Sequence, residues 1–174
     1  MRAKAEHPDP AELTDVLQFM RLLWAVGHGL QTASKRMEQQ IGVTGPQRLV
    51  IRVLGQFPGL SAGALAGLLH LHPSTLTGVL ARLERRRLIR RTADPSDRRR
   101  VHLALTVRGA AIDRLRDGTA EVLVRNALRR ASAGARAGAR DVLTRVAEVL
   151  DDSGEDRRPR ARKAAVGRRG GVSR

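Results

Sequence analysis

The stretch PSTLTGVLARLERRRLIRRTADPSDRRRVHLALTVRGAAI, residues 73–112, decides the fold. Its first part places Leu76, Val79, Leu80 and Leu83 at helical spacing behind a proline. That pattern predicts a helix from Pro73 to about Arg86. LIRRTA and RVHLAL then alternate partially around DPSDRR, which is turn chemistry. Residues 88–105 therefore read as a β-hairpin, and a further helix starts after Thr106.

Working upstream, Ser61 caps a short helix carrying Leu65, Leu68 and Leu69, and the chain breaks between His70 and Pro73. Two short helices joined by a tight turn form a helix-turn-helix. Before them, Thr44-Gly45-Pro46-Gln47 has the residues of a capping box, and its helix runs to about Gln56. A long helix from Glu12 to about Gln40 carries Leu13, Val16, Leu17, Met20, Leu23, Trp24 and Leu30 on one stripe. Downstream, a fifth helix is expected from Thr106 to about Arg130. A sixth follows Ser132, with Val142, Leu143, Val146, Val149 and Leu150 on one face.

The fold class is thus mainly α with a small β-hairpin wing: a winged helix-turn-helix joined to a helical dimerisation region. Residues 1–11 read as a flexible arm and 12–152 as the folded domain. The winged motif covers about 44–106, and the dimerisation helices about 12–40 and 106–152. Residues 153–174 hold eight Arg and Lys against two acids and read as a disordered basic tail.

Composition narrows the function. The 174 residues carry a formal charge of +16, which predicts a polyanionic partner, with double-stranded DNA ahead of an anionic membrane. Aromatic residues make up 2%, so the core must be aliphatic, which suits helices better than a β-sandwich. The absence of cysteine rules out disulfides and thiolate metal sites. No apolar run is long enough to span a bilayer, and MRAKAEHPDPAEL lacks the apolar stretch of a signal peptide, so the expected location is cytoplasmic, on the nucleoid. No cofactor motif occurs, and no catalytic residue is assigned.

Between Arg82 and Arg100 there are nine arginines against three acids, coinciding with the last motif helix and the hairpin. A helix entering the major groove presents its N-terminal residues to base edges, which points to Ser74, Thr75, Thr77 and Gly78, with Arg82 further along. Hydroxyls discriminate weakly among bases, so Arg82 is the one long reader. Ser74 has a second reading as a plain helix cap.

The order of elements resembles the MarR family of bacterial transcriptional regulators. The resemblance rests on Leu65-Ala66, on residues 73–91, and on residues 94–112 with Asp97-x-Arg99, Leu105-Thr106 and Gly109. It implies a sequence-specific, ligand-responsive repressor that binds a pseudopalindromic operator as a homodimer. It also implies that Arg99 at the wing tip enters the minor groove, supported by Asp97, while Arg98 and Arg100 bind phosphates. Family members usually have Gly where this chain has Arg87, a position suited to a left-handed backbone. The family's effector pocket lies between the dimer helices and the helix-turn-helix. Trp24, His28 and Arg48 are the candidates for binding a small aromatic or anionic effector there, with ordinary packing of Trp24 and a solvated His28 as the alternative.

Three other readings stand beside this one. A metal-responsive regulator would use His70, His72 and His28. Gly59-Leu60-Ser61-Ala62-Gly63 matches a nucleophile elbow, but that needs a preceding strand, and Ser61 reads better as a cap. A sequence-independent architectural DNA-binding protein would also suit the charge and the tail.

Overall fold

The computed structural model describes residues 11, 13–93 and 101–155. Asp97, Arg98, Arg99 and Arg100, nearly all of the N-terminal arm, and residues 156–174 of the tail lie outside the described residues. Within them the elements are α1 (Asp15–Ile41), α2 (Gly45–Gln56), α3 (Ala62–Leu69), α4 (Pro73–Arg85), β1 (Ile89–Ala93), β2 (Val101–Leu105), α5 (Val107–Arg114), α6 (Ala120–Arg129) and α7 (Ala133–Glu155).

The core is aliphatic. Val50, Ile51 and Leu54 of α2 pack with Leu65 of α3, with Leu76, Val79, Leu80 and Leu83 of α4, and with Leu88, Ile89 and Leu103 of the hairpin. The strands pair antiparallel from Ile89 opposite Leu105 to Ala93 opposite Val101. The α2–α3 loop adds a third rung: Gly59 N–H donates to Leu103 O at 3.0 Å, and Leu103 N–H donates to Leu60 O at 2.9 Å. The wing is therefore tied at its base to the helices, and α2 touches α1, α4, α5 and β2.

The caps follow local chemistry. The Thr44 amide donates to Gln47 Oε1 at 3.3 Å, and Ser61 Oγ accepts from the Ala64 amide at 3.1 Å, as the sequence predicts. Both motif helices end in a Schellman arrangement. At α3, Leu71 N–H reaches Ala66 O at 3.0 Å, and at α4 Leu88 N–H reaches Leu83 O at 3.0 Å. In each case the turning residue is left-handed without being glycine, His70 at φ 47° and Arg87 at φ 55°. The expected left-handed backbone at Arg87 is observed. Leu83 and Leu88, which flank it, are both buried and supply the apolar contact that accompanies this motif.

Gly109 has a different reason to be glycine. A Cβ there would stand 1.9 Å from Leu88 O, because α5 is drawn tightly onto the strand entry. The same carbonyl accepts from Thr106 N–H at 3.1 Å, and Thr106 Oγ1 caps α5 by accepting from the Gly109 amide at 3.0 Å. The Leu-Thr-x-x-Gly signature thus forms one close-packed corner.

The single helix expected over Thr106 to Arg130 is two. Leu115 leaves helical geometry at ψ 141°, and Gly118 turns at φ 71°. Asp117-Gly118 is turn chemistry that interrupts the periodicity, and Thr119 starts α6. In consequence α5 packs on α2 and β2, as part of the winged lobe, while α6 packs on α1.

Two substitutions are expected to move stability in opposite directions in urea unfolding. Gly109→Ala should lose about 2 kcal/mol or more by overpacking against the Leu88 carbonyl. Arg87→Gly should gain roughly 1 kcal/mol by releasing the left-handed strain.

Candidate nucleic-acid interface

Helix α4 buries Leu76, Val79, Leu80 and Leu83 and leaves Ser74, Thr75, Thr77 and Arg82 exposed, with Gly78 half-buried. Ser74, Gly78 and Arg82 follow one another at four-residue spacing, so they form a row along the helix. The guanidinium of Arg82 lies back over Gly78, its nitrogens 3.8 and 3.9 Å from where a Cβ on Gly78 would sit. The small residue lets the long cation reach toward the N-terminal end of the helix.

That end is capped by His72 rather than by Ser74. Pro73 occupies the first helical position, which places the cap at His72, the residue before it. His72 Nδ1 accepts from the Ser74 amide at 3.2 Å and stands 2.6 Å from Ser74 Oγ. The Thr77 hydroxyl donates to Pro73 O at 2.8 Å. At the other end of α4, Arg86 donates to Gly42 O, which ties the helix to the α1–α2 turn. Arg91 on β1 pairs with Glu84, bracing the wing against α4. Arg85, Arg87 and Arg90 are exposed beside them. The helix, its exposed hydroxyls and the base of the wing thus form one cationic surface.

A second cluster sits behind this surface, where α2 meets the α5–α6 turn. Arg48 is buried, 2% exposed, and donates from Nε to Glu121 Oε1 at 2.8 Å. Its terminal nitrogens donate to Ile112 O, to Leu115 O at 2.6 Å and to Asp113 O at 3.4 Å. These are carbonyls at the end of α5, where the helical ladder runs out, and Ile112 O also accepts from the Leu115 amide at 3.1 Å. Arg52 adds a contact to Asp113 Oδ1 at 2.7 Å. Burial pushes the Glu121 carboxyl up, but its own backbone amide, Arg48 and Thr119 together outweigh this and hold it below the ordinary glutamate value.

Residues 43–101 match the MarR family profile. The chain is 33% identical over 115 residues to the HTH-type transcriptional repressor Rv2887 of Mycobacterium tuberculosis, covering 66% of this chain and 80% of that protein. The chain belongs to the MarR family. It is therefore a winged helix-turn-helix DNA-binding transcriptional regulator. It is also 35% identical over 104 residues to the regulator TtmR of Methylorubrum extorquens, covering 60% of this chain but about half, 52%, of that protein. Among solved structures, the PcaV regulator of Streptomyces coelicolor with its natural ligand is 27% identical at a TM-score of 0.61, over 83% of this chain and 98% of that one. The Staphylococcus aureus MepR–DNA complex is 24% identical at a TM-score of 0.62, over 80% and 99%.

Within this MarR chain the three residues expected at an effector pocket are not brought together. Arg48 is committed to the α5 carbonyls and Glu121, and it lines neither of the cavities described here. His28 lines a cavity of about 580 Å³ between α1 and α6, with Arg36, Gln40 and Thr119. Trp24 is 73% exposed on α1 and lines neither cavity. A larger cavity, about 630 Å³, lies between α1, α2 and α6. Leu30, Met37, Leu49, Leu71, Val124 and Leu128 give it apolar walls, and Arg125, Arg129 and Arg136 give it cations. Glu121 reaches both this cavity and Arg48. Among the described residues no group of His, Asp and Glu is placed to hold a metal ion, and no helix is long and apolar enough to cross a membrane.

The low value at Glu121 sets a sign. A carboxylate with a depressed folded pKa adds stability that is full above the unfolded glutamate value and is lost as pH falls through the folded one. Glu121→Gln should therefore cost about 1 kcal/mol at pH 7 and converge with the wild type in strong acid, measured as urea stability against pH.

Proposed function

We propose that this MarR protein is a ligand-responsive repressor that binds a pseudopalindromic operator as a homodimer. The observation that carries this reading is the exposed row of Ser74, Gly78 and Arg82 on α4, held rigidly beside the cationic base of the wing. Thr75 and Thr77 flank the row, and α4 enters the major groove with these residues at base edges. Arg99, supported by Asp97, probes the minor groove, and Arg98 and Arg100 bind phosphates. The solved MepR–DNA complex, of the same fold, supports a DNA-docked arrangement.

Dimerisation is supported by apolar surface that the single chain leaves open. Val16, Leu17, Met20 and Trp24 on α1, Leu123 and Leu128 on α6, and Val142, Leu143, Val149 and Leu150 on α7 are all exposed. Monomeric proteins rarely leave so much contiguous apolar surface in water. The regions 12–40 and 120–152 form the dimerisation part, with α5 belonging to the winged lobe. The protein works in the cytoplasm at the nucleoid, and the basic tail adds sequence-independent affinity.

The effector site is the cavity of about 630 Å³. Its apolar walls and three arginines suit a small amphipathic anion, and PcaV was solved with a natural ligand in a related fold. An anion there lies beside Glu121 and repels its carboxylate, which loosens the Arg48–Glu121 contact that joins α2 to α6. Trp24 and His28 lie along α1 outside this cavity and take part only if the partner protomer brings them to it.

Selection of bound sites from random DNA with the full chain tests the proposal. The expected result is an inverted repeat with half-sites about one helical turn apart and at least ~1,000-fold preference over random DNA. Binding without a preferred sequence would favour the architectural alternative. Arg99→Ala should lower affinity most at sites with a narrow minor groove, whereas an unchanged site preference removes Arg99 from the reading role.

A further inference from the structure

We propose that the hydroxyls of Ser74 and Thr77 on the recognition helix act as acceptors only, so that these two residues select base pairs by their exocyclic amino groups. The inference rests on the reading above that α4 lies in the major groove.

The argument starts at the helix cap. His72 Nδ1 accepts the Ser74 amide proton at 3.2 Å, so that ring nitrogen carries a lone pair and no hydrogen. Ser74 Oγ stands 2.6 Å from the same nitrogen. Only the hydroxyl can supply the hydrogen in that contact, so Ser74 donates inward and its remaining lone pairs face out. Thr77 is in the same state for a separate reason, because its hydroxyl donates to Pro73 O at 2.8 Å. A free hydroxyl serves any partner, since it rotates between donating and accepting. These two have lost that freedom.

The consequence is a chemical preference. In the major groove, adenine N6 and cytosine N4 offer donors, whereas guanine O6 and N7 and thymine O4 only accept. Phosphate oxygens only accept as well. Ser74 and Thr77 therefore favour amino groups, and donors on this face come from Thr75 and from Arg82, a cation suited to guanine. His72 acts as a positioning residue, setting the polarity of Ser74 without touching DNA.

The test uses the full chain and begins from operators selected by the wild type, Ser74→Ala and Thr77→Val. Comparison of the three sets identifies the base pairs each hydroxyl reads. At those positions adenine is replaced by purine, or cytosine by pyrimidin-2-one, removing only the amino group. The wild type should lose about 3–10-fold in affinity, the scale of one hydrogen bond, and the matching variant less than 2-fold. His72→Asn, which keeps an accepting oxygen at the cap, should retain the preference, and His72→Ala should relax it.

An affinity of the wild type that is unchanged when the amino group is removed at those positions overturns the proposal. So does an equal loss in wild type and variant, or an operator whose selection neither Ser74→Ala nor Thr77→Val alters. Failure to select any operator would instead overturn the repressor reading itself.

Discussion

The buried guanidinium of Arg48 is the contact on which the arrangement of the two halves depends. It takes the last carbonyls of α5 and the carboxylate that opens α6, so a single side chain from α2 terminates one helix and anchors the next. A buried cation is costly unless its donors are met, and here Glu121 and the α5 carbonyls meet them. The break between α5 and α6 is stable because Arg48 fills it. The Leu115 amide, Arg52 and Arg116 also donate to carbonyls in this stretch, but the sealed Arg48 carries the bond onward to Glu121 at 2.8 Å.

The same logic recurs at smaller scale around α4. Arg86 reaches the end of α1, and Arg91 is held by Glu84. Arginines thus serve two kinds of duty in this chain. Some bind backbone carbonyls, as Arg48 and Arg86 do, and others face solvent in the cationic surface proposed to meet DNA, as Arg82 and Arg90 do. The left-handed residues His70 and Arg87 lie at the ends of the two motif helices. Each carries a basic or titratable side chain where glycine would be less strained, a local cost of the kind that collects at functional sites.

The cavity proposed as the effector site lies beside the contact between the two halves. The cavity touches α1, α2 and α6, and one of its lining residues is the partner of Arg48. Under that proposal, a ligand there acts beside the contact that joins α2 to α6.

Local pattern was enough to place most elements. The capping residues Thr44, Ser61 and Thr106, the aliphatic spacing of α4 and the turn chemistry of the wing are legible without coordinates, because each depends on neighbours within a few positions. The left-handed backbone at Arg87 is implied by the family resemblance instead, since glycine is usual there. Other features come from residues distant in the chain. The role of Arg48 depends on Ile112, Leu115 and Glu121, more than sixty residues away, and nothing near position 48 announces them. Gly109 is marked by the family signature, but its physical reason is the Leu88 carbonyl that packing brings against it. His72 looked like half of a metal pair and is instead the cap of α4, because proline at the next position shifts the helix start. Residues 73–112 thus determine the motif and its charge. The direction of each hydroxyl and the duty of each arginine were decided only when the chain folded back on itself, since hydrogen-bond partners are chosen by three-dimensional proximity.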